Sequence, residues 1–469
     1  MAGAPQLPLG ATLPVGVADD YRGRVDRLLS GYAALPPGSP VRLAKKTSNL
    51  FRIREEAAAP GIDVSEFSGV LWVDAASRTA DVLGMTTYED LVDATLAHRL
   101  MPLVVPQLKT ITLGGAVTGL GIESTSFRAG LPHESVLEMD VLTGSGEVVT
   151  ARPEGEHADL FFGFPNSYGT LGYALRLRIE LTPVHPFVEL QHVRFDSAAA
   201  AAEALERITV EQAFDGRAVD FCDGTVFASD EVYLTLGRWA DAAPYRSDYT
   251  GRNIYYKSIA ERTGDYLTVR DYIWRWDADW FWCSAGVGAQ NAYIRPLIPR
   301  RYLRSDVYFK AIAASRRSGL VDRWDAVRRR PQREFVIQDV EVPVERLAEF
   351  MGFFAAEVGI SPVWLCPLRQ RNPDHRWDLY ALQPDQTYVN VGFWSSVEVR
   401  PGAALGDVNR AIEIEVERLG GRKSLYSSAY YPVDDFWRIY NGRTYEQLRR
   451  RYDPDSRLLD LYDKCVSGR

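Results

Sequence analysis

Cysteine is scarce in this chain: there are 4, at 222, 283, 366 and 465, far apart and with no CxxC pair. A disulfide framework is therefore improbable and a zinc site more so, and a reducing cytoplasm fits best. Long apolar runs are missing as well. The nearest stretch, Phe350 to Leu368, is broken by Glu357, Gly359 and Pro362 and reads as a helix followed by a strand, so no transmembrane helix is expected. Positive charge is not in excess either. A net charge of −8 argues against a general nucleic-acid binder, which must neutralise phosphates, so nucleic acid is not an expected partner. There is no internal repeat and no low-complexity tract. The opening MAGAPQLPLGATLPVGVADD lacks the basic start and apolar core of a signal peptide, and residues 1–18 read as a mobile leader.

What is present is the composition of a folded protein, 46% hydrophobic and 25% charged over 469 residues. Cores stop growing near ~250–300 residues, so two lobes are expected. Tyr21, Val25, Leu28, Leu29 and Tyr32 share one face of a helix over Asp20 to Ala34. Strands follow at Gly69 to Asp74 and Thr79 to Leu83, then a helix to about His98 with Thr87 as N-cap and Asp90 as its partner. Val136 to Leu142 and Glu147 to Thr150 flank Thr143-Gly-Ser-Gly146, a hairpin pattern. In Leu171 to Leu181, Arg176, Arg178 and Glu180 alternate with apolar residues, predicting a half-exposed strand. Pro183 to Pro186 marks a boundary. The expected units are 19–185, a mixed 186–424, and a helical 425–469 that starts at Pro432-Val-Asp-Asp435.

The glycine-rich segment PQLKTITLGGAVTGLGIES spans 106–124, with glycines at 114, 115, 119 and 121. Glycine permits close approach to main-chain N–H groups, and successive N–H groups can form a nest for a diphosphate. A ligand-free glycine turn fits equally. The dinucleotide fingerprint of a Rossmann fold needs G-x-G-x-x-G opening a helix, whereas here Ile-Glu-Ser-Thr-Ser follows with no helix-favouring run. No Gly-Lys-Ser/Thr follows, so it is not a Walker loop.

Several collinear stretches resemble flavoproteins of the vanillyl-alcohol oxidase type, the PCMH-type FAD-binding group. They are Thr112-Leu-Gly-Gly115, Gly119-Leu-Gly-Ile-Glu-Ser124 and Tyr168-Gly-Thr-Leu-Gly172. Val363-Trp-Leu-Cys-Pro367, Asp435-Phe-Trp437 and Leu461-Tyr-Asp-Lys464 extend the likeness to the 24-dehydrocholesterol reductase branch. RLAKKTSNLFR and VVPQLKTITLGGAVTGLGIES resemble the actinobacterial enzymes that reduce a mid-chain methylene on phospholipid acyl groups. The resemblance implies an α+β fold: a two-subdomain FAD-binding domain over 19–185, a substrate-binding cap over 186–424, and a C-terminal segment returning to the first domain. It further implies FAD with NADPH as electron donor, a lipid substrate, and a lipid methyltransferase as a partner. The cofactor contacts it implies are Lys46, Thr47, Ser48 and Asn49, then Pro106, Thr112, Gly114, Gly115, Gly119, Gly121 and Ser124, then Tyr168, Gly169, Thr170 and Gly172. Neither His nor Cys occurs in Lys45 to Phe51, so the flavin is expected to be noncovalent, with His133 the one awkward alternative.

Reducing an isolated alkene takes a hydride and a proton, and the proton donor should be a Tyr, Asp, Glu or Lys. Among Tyr426, Tyr430 and Tyr431 the preferred choice is Tyr430, although a core tyrosine is the commoner role for any one of them. Asp279, within the tryptophan-rich Tyr272 to Trp282, and Glu123 are further candidates for the chemistry; Glu123 is expected to be hydrogen-bonded. That aromatic stretch suits a pocket wall, a lipid-facing belt or ordinary core. From Arg295 to Arg333 stand eleven Arg and one Lys against three Asp. This segment suits docking on an anionic membrane from the cytoplasmic side, a solvated helix face or a subunit contact. An alcohol or sugar dehydrogenase, and a sterol double-bond reductase, are the competing activities.

Overall fold

The computed structural model describes residues 13–36, 38–44, 51–52, 61–251, 253–310 and 331–467. The first helix runs Val15–Ala33, so it begins inside the stretch expected to be a leader, and Leu13 is already buried. Its buried stripe is Ala18, Tyr21, Val25, Leu28 and Tyr32, spaced by helical turns.

Five strands of the first sheet follow one another in the order Val70–Asp74, Thr79–Leu83, Tyr173–Pro183, Val136–Leu142, Val148–Ala151, and Leu100–Pro102 pairs the far end of Tyr173–Pro183. All pairings are antiparallel. The helix Tyr88–Leu96 starts where expected, with the Thr87 side chain accepting from Asp90 N. Arg176 departs from the half-exposed strand pattern. It is fully buried and bonded to Asp81, Glu138 and Asp140, because the sheet's second face is covered and a charge there must be paired.

At the Pro183–Pro186 turn the chain passes into a second sheet of eight strands. Their order is Gly264–Thr268, Phe187–Phe195, Glu231–Ala240, Phe221–Ala228, Val363–Leu368, Tyr388–Glu398, Arg333–Pro343, Arg422–Lys423, all antiparallel. Side chains on a strand alternate between faces, and here the alternation decides function. Val336, Val340, Val342, Val363, Leu365, Val389, Val391 and Phe393 pack with the helices Ala198–Glu211, Leu347–Glu357 and Asp407–Arg418. Trp364, Cys366, Leu368 and Trp394 belong to the opposite face, which shares one core with the first domain. The architecture is α+β.

Candidate functional site between the two sheets

The glycine-rich segment is not the open nest its composition suggests. It forms a short helix, Leu113–Gly119, whose N-cap Thr112 accepts from Gly115 N at 3.2 Å. Gly114 N donates to Gly84 O at 2.9 Å, and a Cβ at 114 would collide with that carbonyl, so this glycine serves helix packing. The helix ends at Leu120, a non-glycine residue at φ 82°, a strained conformation of the kind found at ligand sites. A second turn, Ser126–Ala129, follows where no helix was expected.

This segment and the Tyr168 turn meet. Tyr168 N donates to Thr118 O at 2.9 Å, and a Cβ on Gly119 would stand 3.0 Å from the Tyr168 ring. Between them and the second sheet lies a cleft of about 190 Å³ that opens to solvent. One wall is Pro106, Thr112, Gly115, Gly119, Gly121 and Tyr168; the other is Phe51, Trp280, Phe281, Asp339, Trp364, Trp394 and Tyr426. A Cβ on Gly121 would press on Pro106 at 2.9 Å, so the glycines keep the first wall thin.

The polar groups of the second wall form a connected set. Asn390 Nδ2 donates to Asp339 Oδ1 at 3.0 Å, and Trp394 Nε1 donates to Tyr426 Oη at 3.0 Å. Tyr426 is hydrogen-bonded to Asp339 in turn. Burial pushes the Asp339 carboxyl up to about 6, against the pull of these two donors. The neighbouring Glu341 carboxyl, which accepts from the Tyr380 hydroxyl, is pushed by burial up to about 8. Burial, with Asp339 beside it, raises the Tyr426 phenol well above its ordinary value.

Of the residues expected at the cofactor, Pro106, Thr112, Gly115, Gly119, Gly121 and Tyr168 line the cleft. Gly114, Ser124, Gly169, Thr170 and Gly172 do not. The Ser124 hydroxyl is 2.8 Å from the Tyr272 hydroxyl, Thr170 caps Ser167 O at 2.8 Å, and Gly172 packs on Val141 and Leu142. Lys46, Thr47, Ser48 and Asn49 lie outside the described residues. His133 is buried edge-on against Trp377, away from the cleft, and burial pushes its pKa down to about 3.

The three expected catalytic residues are displaced from the cleft. Tyr430 packs against Gly406 and Arg410, while Tyr426, four residues earlier, occupies the wall. Asp279 is held by Arg295 at 2.6 and 2.9 Å and by Ser284, which ties up both its oxygens. Glu123 is hydrogen-bonded as expected, but to the fully buried Arg275, which also binds Asp223. Trp276 and Trp364 donate to the same Asp223, so this cluster rivets the two sheets together. In the aromatic stretch Trp280 and Phe281 are pocket wall, whereas Trp274, Trp276 and Trp282 are core.

Residues 37–152 match the family described as an FAD binding domain. The chain is 24% identical over 445 residues to a Delta(24)-sterol reductase of Arabidopsis thaliana, covering 87% of this chain and 77% of that one. It is 26% identical over 394 residues to the Homo sapiens Delta(24)-sterol reductase, covering 78% and 70%. Cytokinin dehydrogenase 2 of Oryza sativa subsp. japonica is 26% identical over 379 residues, covering 75% and 64%. The chain is an FAD-dependent oxidoreductase, similar over most of its length to the Delta(24)-sterol reductases.

The residues present fit a flavin dinucleotide. Arg52 is 7% exposed and stacks 4.7 Å from the Tyr168 ring centroid. Its Nη1 reaches Cys465, while Nε and Nη2 have no partner among the described residues. A buried cation with open donors is costly unless an anion completes it, and a cofactor carrying phosphates meets that need. When bound, the flavin supplies hydride chemistry; Thr112 and the glycine wall would hold it, and Arg52 would balance its charge.

Proposed function

We propose that the protein reduces a carbon–carbon double bond of a lipid, the methylene group of a phospholipid acyl chain, to a methyl branch with electrons from NADPH. The observation that carries this is the joining of two surfaces in one cleft. A glycine wall suits the cofactor, and facing it is a wall of aromatic rings whose polar side chains, among the described residues, are Asp339, Tyr426 and Ser424 beside the indole N–H groups. Such a wall suits an apolar chain and offers no row of donors for a sugar. The similarity to Delta(24)-sterol reductases supports alkene reduction as the reaction class. A sterol double bond is the second reading, resting on those same names; the similarity to a cytokinin dehydrogenase leaves dehydrogenation as the third.

Access from a membrane fits the surface. Among the described residues no helix is long and apolar enough to cross a membrane. Between Val287 and Tyr302, however, Tyr293, Ile294, Leu297 and Tyr302 are exposed apolar side chains, with Arg300 and Arg301 exposed among them. Apolar insertion plus basic charge is the chemistry of docking on an anionic phospholipid surface. The basic segment contributes less than its composition suggests: Arg295 is spent on Asp279 and Arg304 on Glu89, Arg300 shares its exposed charge with Asp248 at 2.9 Å, and 311–330 lies outside the described residues. The methylene substrate requires a lipid-methylating enzyme to supply it.

Anaerobic mixing tests the reading. NADPH should bleach the flavin, and vesicles of methylene-bearing phospholipid should restore its colour and yield the methyl-branched chain. Recovery with a sterol alone would favour the second reading, and bleaching by an alcohol alone the third.

A further inference from the structure

We infer that Asp339, held at the cleft wall by Asn390 and Tyr426, is the acid that protonates the double bond, and that the surrounding ring faces steady the carbon left electron-poor. This rests on the alkene-reductase reading and names the residues that act in it.

Asp339 is on the cleft face of the second sheet, opposite Gly392 in the register of its partner strand. A Cβ at 392 would overlap the Asp339 carboxyl and stand 2.7 Å from Trp394, so the glycine is what lets the acid and the ring share this spot. Around it Phe281 stacks on Trp394 at 4.2 Å, Trp364 meets Phe281 at 5.4 Å, and Trp280 stacks on Phe51 at 5.4 Å. Aromatic faces carry negative charge density and attract a cationic centre. An isolated alkene is a poor hydride acceptor unless a proton arrives, so a carboxylic acid set among ring faces matches the demand of the reaction. Tyr426 is the weaker candidate. Its phenol is pushed up by burial, its oxygen accepts from Trp394, and it is bonded to Asp339, which makes it a positioning residue.

The π pair takes the Asp339 proton, forming one C–H bond and leaving the other carbon cationic. That carbon would take a hydride, which reduced flavin would supply when bound, so the alkene gains two electrons and two hydrogens. Asp339 is left as a carboxylate, steadied by Asn390 and Tyr426, and regains its proton from water. The groups facing Asp339 are Asn390 from the adjacent strand, Tyr426 and Ser424 from the following segment, and Glu341 on its own strand. With its carboxyl raised to about 6, alkene reduction should fall as pH rises through that value.

The test is single-turnover. Protein carrying FAD is reduced with dithionite, so the natural electron donor does not matter, and is mixed with vesicles of methylene-bearing phospholipid or with a Δ24 sterol. Wild type should be reoxidised with product formed, with two solvent deuteriums per product in D2O, one from the acid and one from the flavin N–H, which exchanges with water. Asp339→Asn should lower that rate by at least about a hundredfold, the scale of a general acid. An Asp339→Asn rate within tenfold of wild type overturns the assignment of the acid. If wild-type flavin is not reoxidised by either lipid, the alkene-reductase reading fails instead. Should Asp339→Asn lack flavin, Asp339→Glu keeps the test: its pH profile must shift from that of wild type, and an unchanged profile overturns the inference.

Discussion

A methyl group at position 392 would press on the Asp339 carboxyl and stand 2.7 Å from the Trp394 ring, with Trp364 at 3.3 Å. Gly392→Ala should therefore lower stability by about 1–3 kcal/mol, the usual cost of overpacking, seen as a lower urea midpoint at constant m. The carboxyls beside it set a pH dependence. Asp339 and Glu341 are pushed up to about 6 and about 8, so the folded protein binds more protons than the unfolded chain between their ordinary and raised values. Stability must then fall as pH rises from near ~4 toward about 8, where the loss is complete. Glu341→Gln, which cannot ionise, should flatten the upper part of that decline in thermal melts. A decline that steepens in this variant would contradict the burial argument.

The Tyr272–Trp282 stretch and the interior strand Phe221–Ala228 of the second sheet meet the first domain through charge. Arg275 bridges Glu123 of one unit and Asp223 of the other, at 2.8 Å each, with no exposure of its own side chain. Removing one partner of a buried ion set leaves uncompensated charge, so Arg275→Met should cost about 3–5 kcal/mol by denaturant unfolding. Glu123→Gln, which keeps a hydrogen-bond acceptor, should cost less. These elements also show what the sequence conceals. The hairpin at 143–146, the Thr87 cap and the helix before Val363 are local signals and were legible, because turn chemistry and periodicity act over a few residues. Burial of Arg176 was not, since its three carboxylates come from two other strands. Asp339 was missed for the same reason: in Val336-Ile-Gln-Asp-Val-Glu-Val342 the signal is two carboxylates two residues apart on one face, and only the register with Gly392 makes it a site. Tyr430 was preferred over Tyr426 because chain position cannot tell which of two nearby tyrosines faces a cavity.

At the level of the whole molecule, the two sheets close on each other, and the cleft lies where the glycine wall of one faces the aromatic wall of the other. The same arrangement leaves Tyr293 to Tyr302 on the outside. Reversing charge there, Arg300→Glu with Arg301→Glu, should weaken cosedimentation with phosphatidylserine vesicles by at least about tenfold at low salt, given ~1 kcal/mol per basic residue. Unchanged binding would remove the docking surface from the proposal. The order of the glycine and Tyr168 motifs was readable from sequence by resemblance; their convergence at Tyr168 is a property of the fold. Titrating flavin-free protein with FAD while following tryptophan emission tests that convergence most directly, because Trp280, Trp364 and Trp394 line the cleft. Wild type should be quenched to a plateau, and Gly119→Leu, which fills the space before the Tyr168 ring, should raise the dissociation constant by about tenfold or more, ~1.4 kcal/mol. Equal affinity in the two proteins, or no quenching in wild type, would contradict the placement of the flavin in this cleft.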